Sequence, residues 1–312
     1  MRIDSGSQLK KVLVIGLGQL GLPVAKYVKE RGFETFGYDI NSLRMENVEK
    51  NYGVQSVERF DDIDVFIICV STHDPDDEHT PYVDGLFSIT QKISREAKNG
   101  SLVSIESTVP KGTSKKVFEM LNHRLHVAHA PHRWYSPEED IHGVNQTRVI
   151  GGVSDCCLKI ALEFYDGENK VLESNENLTN DKFQGPRITN SLNIPMHPVS
   201  EIDIAELTKV IENADRYMQI AFSEDLYLYC QANDVNFAEL RDALNTKWNV
   251  KILEPRDGVG GHCLPKDTKM FLQSSRSIKS KILMAAMEVD QDYRRFREIR
   301  GYSLIPRPMN SS

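Results

Sequence analysis

Cys263 stands in the stretch GVGGHCLPKD, with Gly258, Gly260 and Gly261 before it and Pro-Lys-Asp after it. A thiol that only fills a core needs neither a bare backbone on one side nor charges on the other. Glycines let a bulky ligand come close to the main chain. A cation near a thiol favours the thiolate, the form that attacks carbon. The residue types therefore describe a nucleophile that something is meant to reach.

A second stretch, VLVIGLGQLGLPVA, places Gly16, Gly18 and Gly21 in G-x-G-x-x-G order. The pattern follows an apolar strand, opens a helix and is answered by Asp39 at the end of the next expected strand, about 20 residues on, which is the context a dinucleotide turn requires. Gly16 permits the tight turn, Gly18 lets a pyrophosphate approach, and Gly21 lets the helix pack on the strand. Backbone N–H groups and the positive end of the helix would hold the phosphates. A carboxylate at position 39 accepts from ribose hydroxyls and repels a 2′-phosphate, so the expected cofactor is NAD rather than NADP. Gln19, Leu20, Val70, Thr72 and Thr108 are expected to complete its surroundings.

These residues need elements to position them. KVLVIGLG, ETFGYD, DVFIICV from Asp64, LVSIEST from Leu102, LHVAHAP from Leu125 and TRVIGG near Val149 read as strands with helical stretches between them. Near-continuous apolar strands alternating with helices imply a parallel sheet covered on both faces. From about Gly167 to Pro186 the pattern dissolves into a polar, Asn-rich loop. Helical periodicity then returns. EIDIAELTKVIENADRYMQIAFSEDLYLYCQAND holds neither proline nor glycine, and Ile204, Leu207, Ile211, Ala214, Met218, Ala221 and Phe222 recur at three- and four-residue steps. NFAELRDALNTK is a further helix, capped by Asn236 with Glu239 three residues on. An amphipathic helix follows the cysteine loop, and the final PRPMNSS offers little to pack. The expected class is α/β: a Rossmann-like doubly wound parallel sheet over residues 1–199, followed by an all-helical central domain over 200–312.

Composition narrows the function. The 312 residues carry a formal charge of −7, with no clustered basic excess of the kind nucleic acids or anionic membranes favour. No secretory signal and no run of transmembrane length is seen. The five cysteines (Cys69, Cys156, Cys157, Cys230 and Cys263) show no metal-ligand spacing and read as reduced thiols in a cytoplasmic protein. All but Cys263 lie in apolar or helical contexts and are expected to be structural.

GLGQLGLP, STVPKGT at Ser107–Thr113, GVGGHCLPKD and the helix AELTKVIENADRYMQIAFSEDL together resemble the UDP-glucose/GDP-mannose dehydrogenase family. The form G-V-G-G-H-C is most similar to its UDP-N-acetylmannosamine dehydrogenase branch. The resemblance implies NAD-dependent oxidation of a nucleotide sugar at C6, from alcohol to carboxylate, with Cys263 forming a thiohemiacetal and then a thioester. The alternatives are a non-catalytic NAD-binding scaffold or regulator of a sugar pathway, and a two-electron dehydrogenase of another hydroxy compound, which would not need this cysteine. It implies that Lys209 and Asn213, which share a helix face, cradle the developing oxyanion. Asp267 would hold Lys209 or a water in place, or else serve only as a helix cap. Thr108 would position water or the cofactor. Gly260 and Gly261 would let the sugar approach. The family also pairs subunits through the helix at 201–232, so a homodimer is expected.

Two departures from the family pattern stand out. His132, in APHRW, occupies the place of a glutamate that assists thioester hydrolysis; it could serve as a base, mark a changed substrate or a stalled second step, or merely pack. Members also continue for about another domain with a unit that grips the nucleotide, so that function is expected to be missing or to come from a separate partner. Arg256 and Asp257 replace the usual Pro-Gly before the loop, with Arg256 either a phosphate ligand or a solvated side chain.

Overall fold

The computed structural model describes residues 11–134, 138–139, 141–167, 191–274 and 280–301. The expected polar loop therefore falls almost wholly outside the described residues, as does the PRPMNSS end. The chain divides into two compact units, one running to His73 and from Tyr82 to Lys209, the other made of Asp74–Pro81 and the residues from Val210 on.

The first unit is a covered sheet. Its strands are β1 (Lys11–Ile15), β2 (Glu34–Tyr38), β3 (Gln55–Ser56), β4 (Val65–Ile68), β5 (Leu102–Ile105), β6 (His126–His129), β7 (Arg148–Gly152) and β8 (Met196–Pro198). Helices α1 (Gly21–Glu30), α2 (Ser42–Tyr52), α3 (Asp84–Glu96), α4 (Thr113–Met120) and α5 (Asp155–Tyr165) connect them. Among the described residues the sheet order is β3-β2-β1-β4-β5-β6-β7-β8. Strands β4 and β5 are buried at every position. Their side chains alternate between two cores, as the two-residue period of a strand demands: Val65 and Ile67 join Val12, Val14 and Ile160 on one face, while Phe66 and Ile68 join Leu13, Val103 and Val127 on the other.

The α/β class and the doubly wound order are borne out, with two corrections. Strand β7 runs antiparallel to β6, pairing Ala128 with Gly152 and His129 with Gly151. Beyond the strands expected from sequence, β8 pairs alongside β7 in parallel. A three-residue strand ending in proline carries too little periodicity to be seen in sequence.

Helix α6 (Ile202–Ala232) runs for 31 residues, about 46 Å at the α-helical rise. It begins in the first unit and continues into the second, where α7 (Phe237–Leu244), α8 (Cys263–Ser274) and α9 (Lys281–Ile299) follow. Asn236 caps α7 by accepting from the N–H groups of Ala238 and Glu239. In the second unit Tyr217, Ala221, Val259 and Ala286 form the core. The apolar positions of α6 do not share one fate. Ala214 and Ala221 are buried, whereas Ile204, Ile211, Phe222 and Tyr229 are exposed. Their spacing of seven and eleven residues puts the exposed four on one side of the helix.

Candidate active site

The glycine turn has the shape its residues call for. Gly16 adopts φ +84°, and a Cβ there would lie 2.7 Å from the Cys69 carbonyl oxygen. A Cβ on Gly21 would sit 1.8 Å from the Gly16 oxygen. Gly18 meets nothing nearer than the Arg44 guanidinium at 3.9 Å, so its face of the turn is open. Leu20, at the N-cap of α1, makes no side-chain cap bond, and Gln19 beside it is exposed. Asp39 accepts from the N–H of Leu17 at 2.8 Å and of Asn41 at 2.9 Å, and meets Arg44 at 3.1 Å. An ionised carboxylate has about four acceptor sites, so room for a ribose hydroxyl remains. The cradle fits a dinucleotide. At the neighbouring ends of β4 and β5, the Val70 carbonyl accepts from Ser107 Oγ at 2.7 Å, and Thr72 Oγ1 donates to the Thr108 carbonyl at 2.7 Å. The three expected residues Val70, Thr72 and Thr108 thus come together.

Behind them lies a charged cluster that sequence reading missed. Glu106 ends the LVSIE strand and is buried with Arg148, at 2.9 Å, and His132, whose Nε2 stands 3.1 Å away but out of line for a hydrogen bond. Tyr165 donates to Glu106 at 2.6 Å and meets Ser104 at 2.7 Å. Burial alone would raise the Glu106 pKa; Arg148 and His132 overcome it and hold the carboxyl at about 2. A charge at the end of an apolar strand was the available signal, but its partners are distant in the chain.

His132 is held as a neutral ring. Burial, then Arg148, and more weakly the Lys209 ammonium, lower its pKa to about 4 against the pull of Glu106. Its Nδ1 accepts from the Trp134 N–H at 3.3 Å, which leaves the proton of the neutral ring on Nε2. A base near neutral pH needs an available lone pair and a pKa close to the working pH. This ring meets neither requirement, so of the roles open to it in sequence, packing against the ion pair suits the geometry.

In the second unit Cys263 is the exposed first residue of α8, where a helix N-terminus favours an anion. His262 Nε2 lies 3.5 Å from its sulfur. Gly258 and Gly261 take φ +89° and +74°, and neither Gly260 nor Gly261 has an atom within 4 Å of a would-be Cβ. The loop is fastened to α9: Val259 donates to Asp290 at 2.8 Å, and its carbonyl accepts from Arg294 at 2.7 Å. Asp267 is inside α8, so it is no cap. It is buried, pairs with Lys266 at 2.7 Å, and accepts from the Asn213 amide. Lys209 and Asn213 follow one turn apart on α6. Arg256 is exposed, and its carbonyl accepts from Tyr293 at 2.9 Å.

Models of the UDP-glucose/GDP-mannose dehydrogenase family match twice, its NAD binding domain over residues 45–168 and its central domain over 203–292. The chain belongs to this family. Its cofactor is NAD. Among relatives, the UDP-N-acetyl-D-mannosamine dehydrogenase of Methanococcus maripaludis is 28% identical, over 91% of this chain and 66% of its own length. That of Pyrococcus horikoshii is 30% identical, over 85% and 65%. A solved structure of UDP-D-ManNAc dehydrogenase from Pyrococcus horikoshii aligns with a TM-score of 0.74 at 27% identity, covering 94% of this chain and 71% of that one. The chain thus spans about two thirds of the length of the family members it matches. Among the described residues no helix is long and apolar enough to cross a membrane.

Proposed function

We propose that the protein oxidises the C6 alcohol of a nucleotide sugar, of the UDP-N-acetylmannosamine or UDP-glucose type, to the carboxylate through a covalent intermediate on Cys263. The observation that carries the proposal is an exposed thiol at the start of α8, approached over a glycine backbone that leaves room for a ligand. NAD, bound at the glycine turn, supplies the hydride acceptor for both oxidations. The Cys263 thiolate adds to the carbonyl carbon of the intermediate aldehyde, giving a thiohemiacetal. Loss of the second hydride leaves a thioester, and attack by water releases the acid and returns the thiolate. Lys209 and Asn213 donate to the oxyanion formed at each addition, and Asp267 fixes the Asn213 amide for that task. Asp267 positions the water, and Thr108 serves the cofactor. Gly260 and Gly261 admit the sugar, and Arg256 is offered as a phosphate contact. His132 is a positioning residue that braces Glu106 rather than a base.

Purified protein given NAD⁺ and a panel of UDP- and GDP-hexoses should form NADH with one of them, and Cys263→Ser should form no acid. Acid production by the serine variant would defeat the mechanism. The neutral, enclosed state of His132 favours one second reading, in which thioester hydrolysis is slow. That enzyme would show a burst of NADH from a single pass of both oxidations, with sugar retained on Cys263 by mass spectrometry.

A further inference from the structure

His126, Cys156 and Cys157 gather at one place in the first unit, where β6 begins beside the first turn of α5. A ring nitrogen of the histidine and the two sulfurs all lie within 4.8 Å of one another. Nothing in their spacing along the chain announces this, because the histidine comes from a strand and the cysteines from a helix some thirty residues later. Pairing of β6 with β7 brings the start of α5 back over His126. Ser154, the N-cap of α5, holds both thiols: its hydroxyl is 3.2 Å from the Cys156 sulfur and 3.1 Å from that of Cys157. Cys157 is buried, His126 is half-buried, and Cys156 is open to solvent. Cys156 therefore does not have the purely structural setting its sequence context implied.

We propose that these three side chains form a binding site for a thiophilic d¹⁰ cation, with zinc(II) as the fitting ion. The donor set is right in kind, since zinc takes thiolate and imidazole ligands. It is nearly right in geometry. Zinc–sulfur bonds of about 2.3 Å and zinc–nitrogen bonds of about 2.0 Å put tetrahedral ligand atoms roughly 3.5–3.8 Å apart, which side-chain rotation can reach from the observed separations. Burial raises the Cys157 pKa and lowers that of His126, so the imidazole is neutral and ready to ligate, while the buried thiol loses its proton as the cation binds. Solvent at Cys156 gives the ion an entry path, and water takes the fourth position. A bound ion would tie the start of β6 to the start of α5, so it would stabilise the folded chain by mass action. The site stands independently of the proposed oxidation chemistry, whose cysteine belongs to the second unit.

The test is competition for Zn²⁺ between the full, chelator-stripped chain and a chromophoric chelator, with Co²⁺ as a spectroscopic probe for thiolate coordination. The expected result is a single equivalent of Zn²⁺ bound, a thiolate-to-cobalt charge-transfer band, and a higher Tm with Zn²⁺. Cys156→Ser, an exposed substitution that leaves the core alone, and His126→Asn should each weaken binding about tenfold or more. Cys263→Ser should bind Zn²⁺ as the parent does. Equal Zn²⁺ affinity in the parent and Cys156→Ser, or loss of the metal only in Cys263→Ser, would overturn the proposal.

Discussion

Two buried carboxylates in this protein meet opposite fates, and their partners explain why. Glu106 has a guanidinium at 2.9 Å and stays ionised. Removing Arg148 as methionine would leave that charge buried without its counterion. We expect a loss of about 3–5 kcal/mol in urea unfolding, and a variant as stable as the parent would show that the pair contributes nothing. Glu224 in α6 is fully buried and neither of its carboxylate oxygens has a hydrogen-bond partner among the described residues. Burial first, then the nearby Asp290, raise its pKa to about 8, with Arg294 opposing. The folded state therefore binds a proton that the unfolded chain, with an ordinary glutamate, releases near pH 4.5. This contribution to stability is complete below that value and is lost as pH rises through about 8. Glu224→Gln keeps the shape and removes the proton dependence. Its stability should fall less than the parent's across this window and exceed it at the alkaline end; parallel curves would refute the assignment.

Secondary-structure elements constrain the site through backbone geometry. The turn between β1 and α1 closes so tightly that a methyl group at position 21 would collide with the Gly16 carbonyl at 1.8 Å. Backbone cannot yield there without moving the open face above Gly18. Gly21→Ala should therefore lower NAD affinity by more than tenfold, about 1.4 kcal/mol or more, and lower the Tm as well. Isothermal titration and thermal melts read the two effects, and NAD affinity equal to the parent's would show that the turn does not hold the cofactor. This feature was legible in the sequence because the need for glycine is local: a tight turn and a close helix–strand contact exclude any side chain whatever lies around them. The cap at Asn236 was legible for the same reason. Strand β8 was not, because three residues make no periodicity and their pairing with β7 depends on where the preceding chain is delivered.

At the scale of the whole molecule, the exposed side of the long helix bears on assembly. Ile204, Ile211, Phe222 and Tyr229 expose apolar surface along one side of α6, and we expect two copies of the chain to cover it by pairing through that helix. Sedimentation velocity should give twice the chain mass for the parent, and Phe222→Asp should return it to a monomer. A parent that stays monomeric at high concentration would rule the interface out.

The sequence by itself determined the α/β order, the glycine turn with its aspartate, the long helix and the reactive-looking cysteine loop. Each follows from short-range demands on backbone conformation or from hydrophobic period, which neighbouring residues carry in full. Only the tertiary structure decided which charges go inside and beside what. His132 could be a base or a brace on paper; its burial next to Arg148 and Glu106 is what supports the proposed role as a brace. Likewise His126 meets Cys156 and Cys157 only because the antiparallel return of β7 sets α5 over β6. Electrostatic roles depend on distance through space and on the exclusion of water, and a linear order of residues records neither.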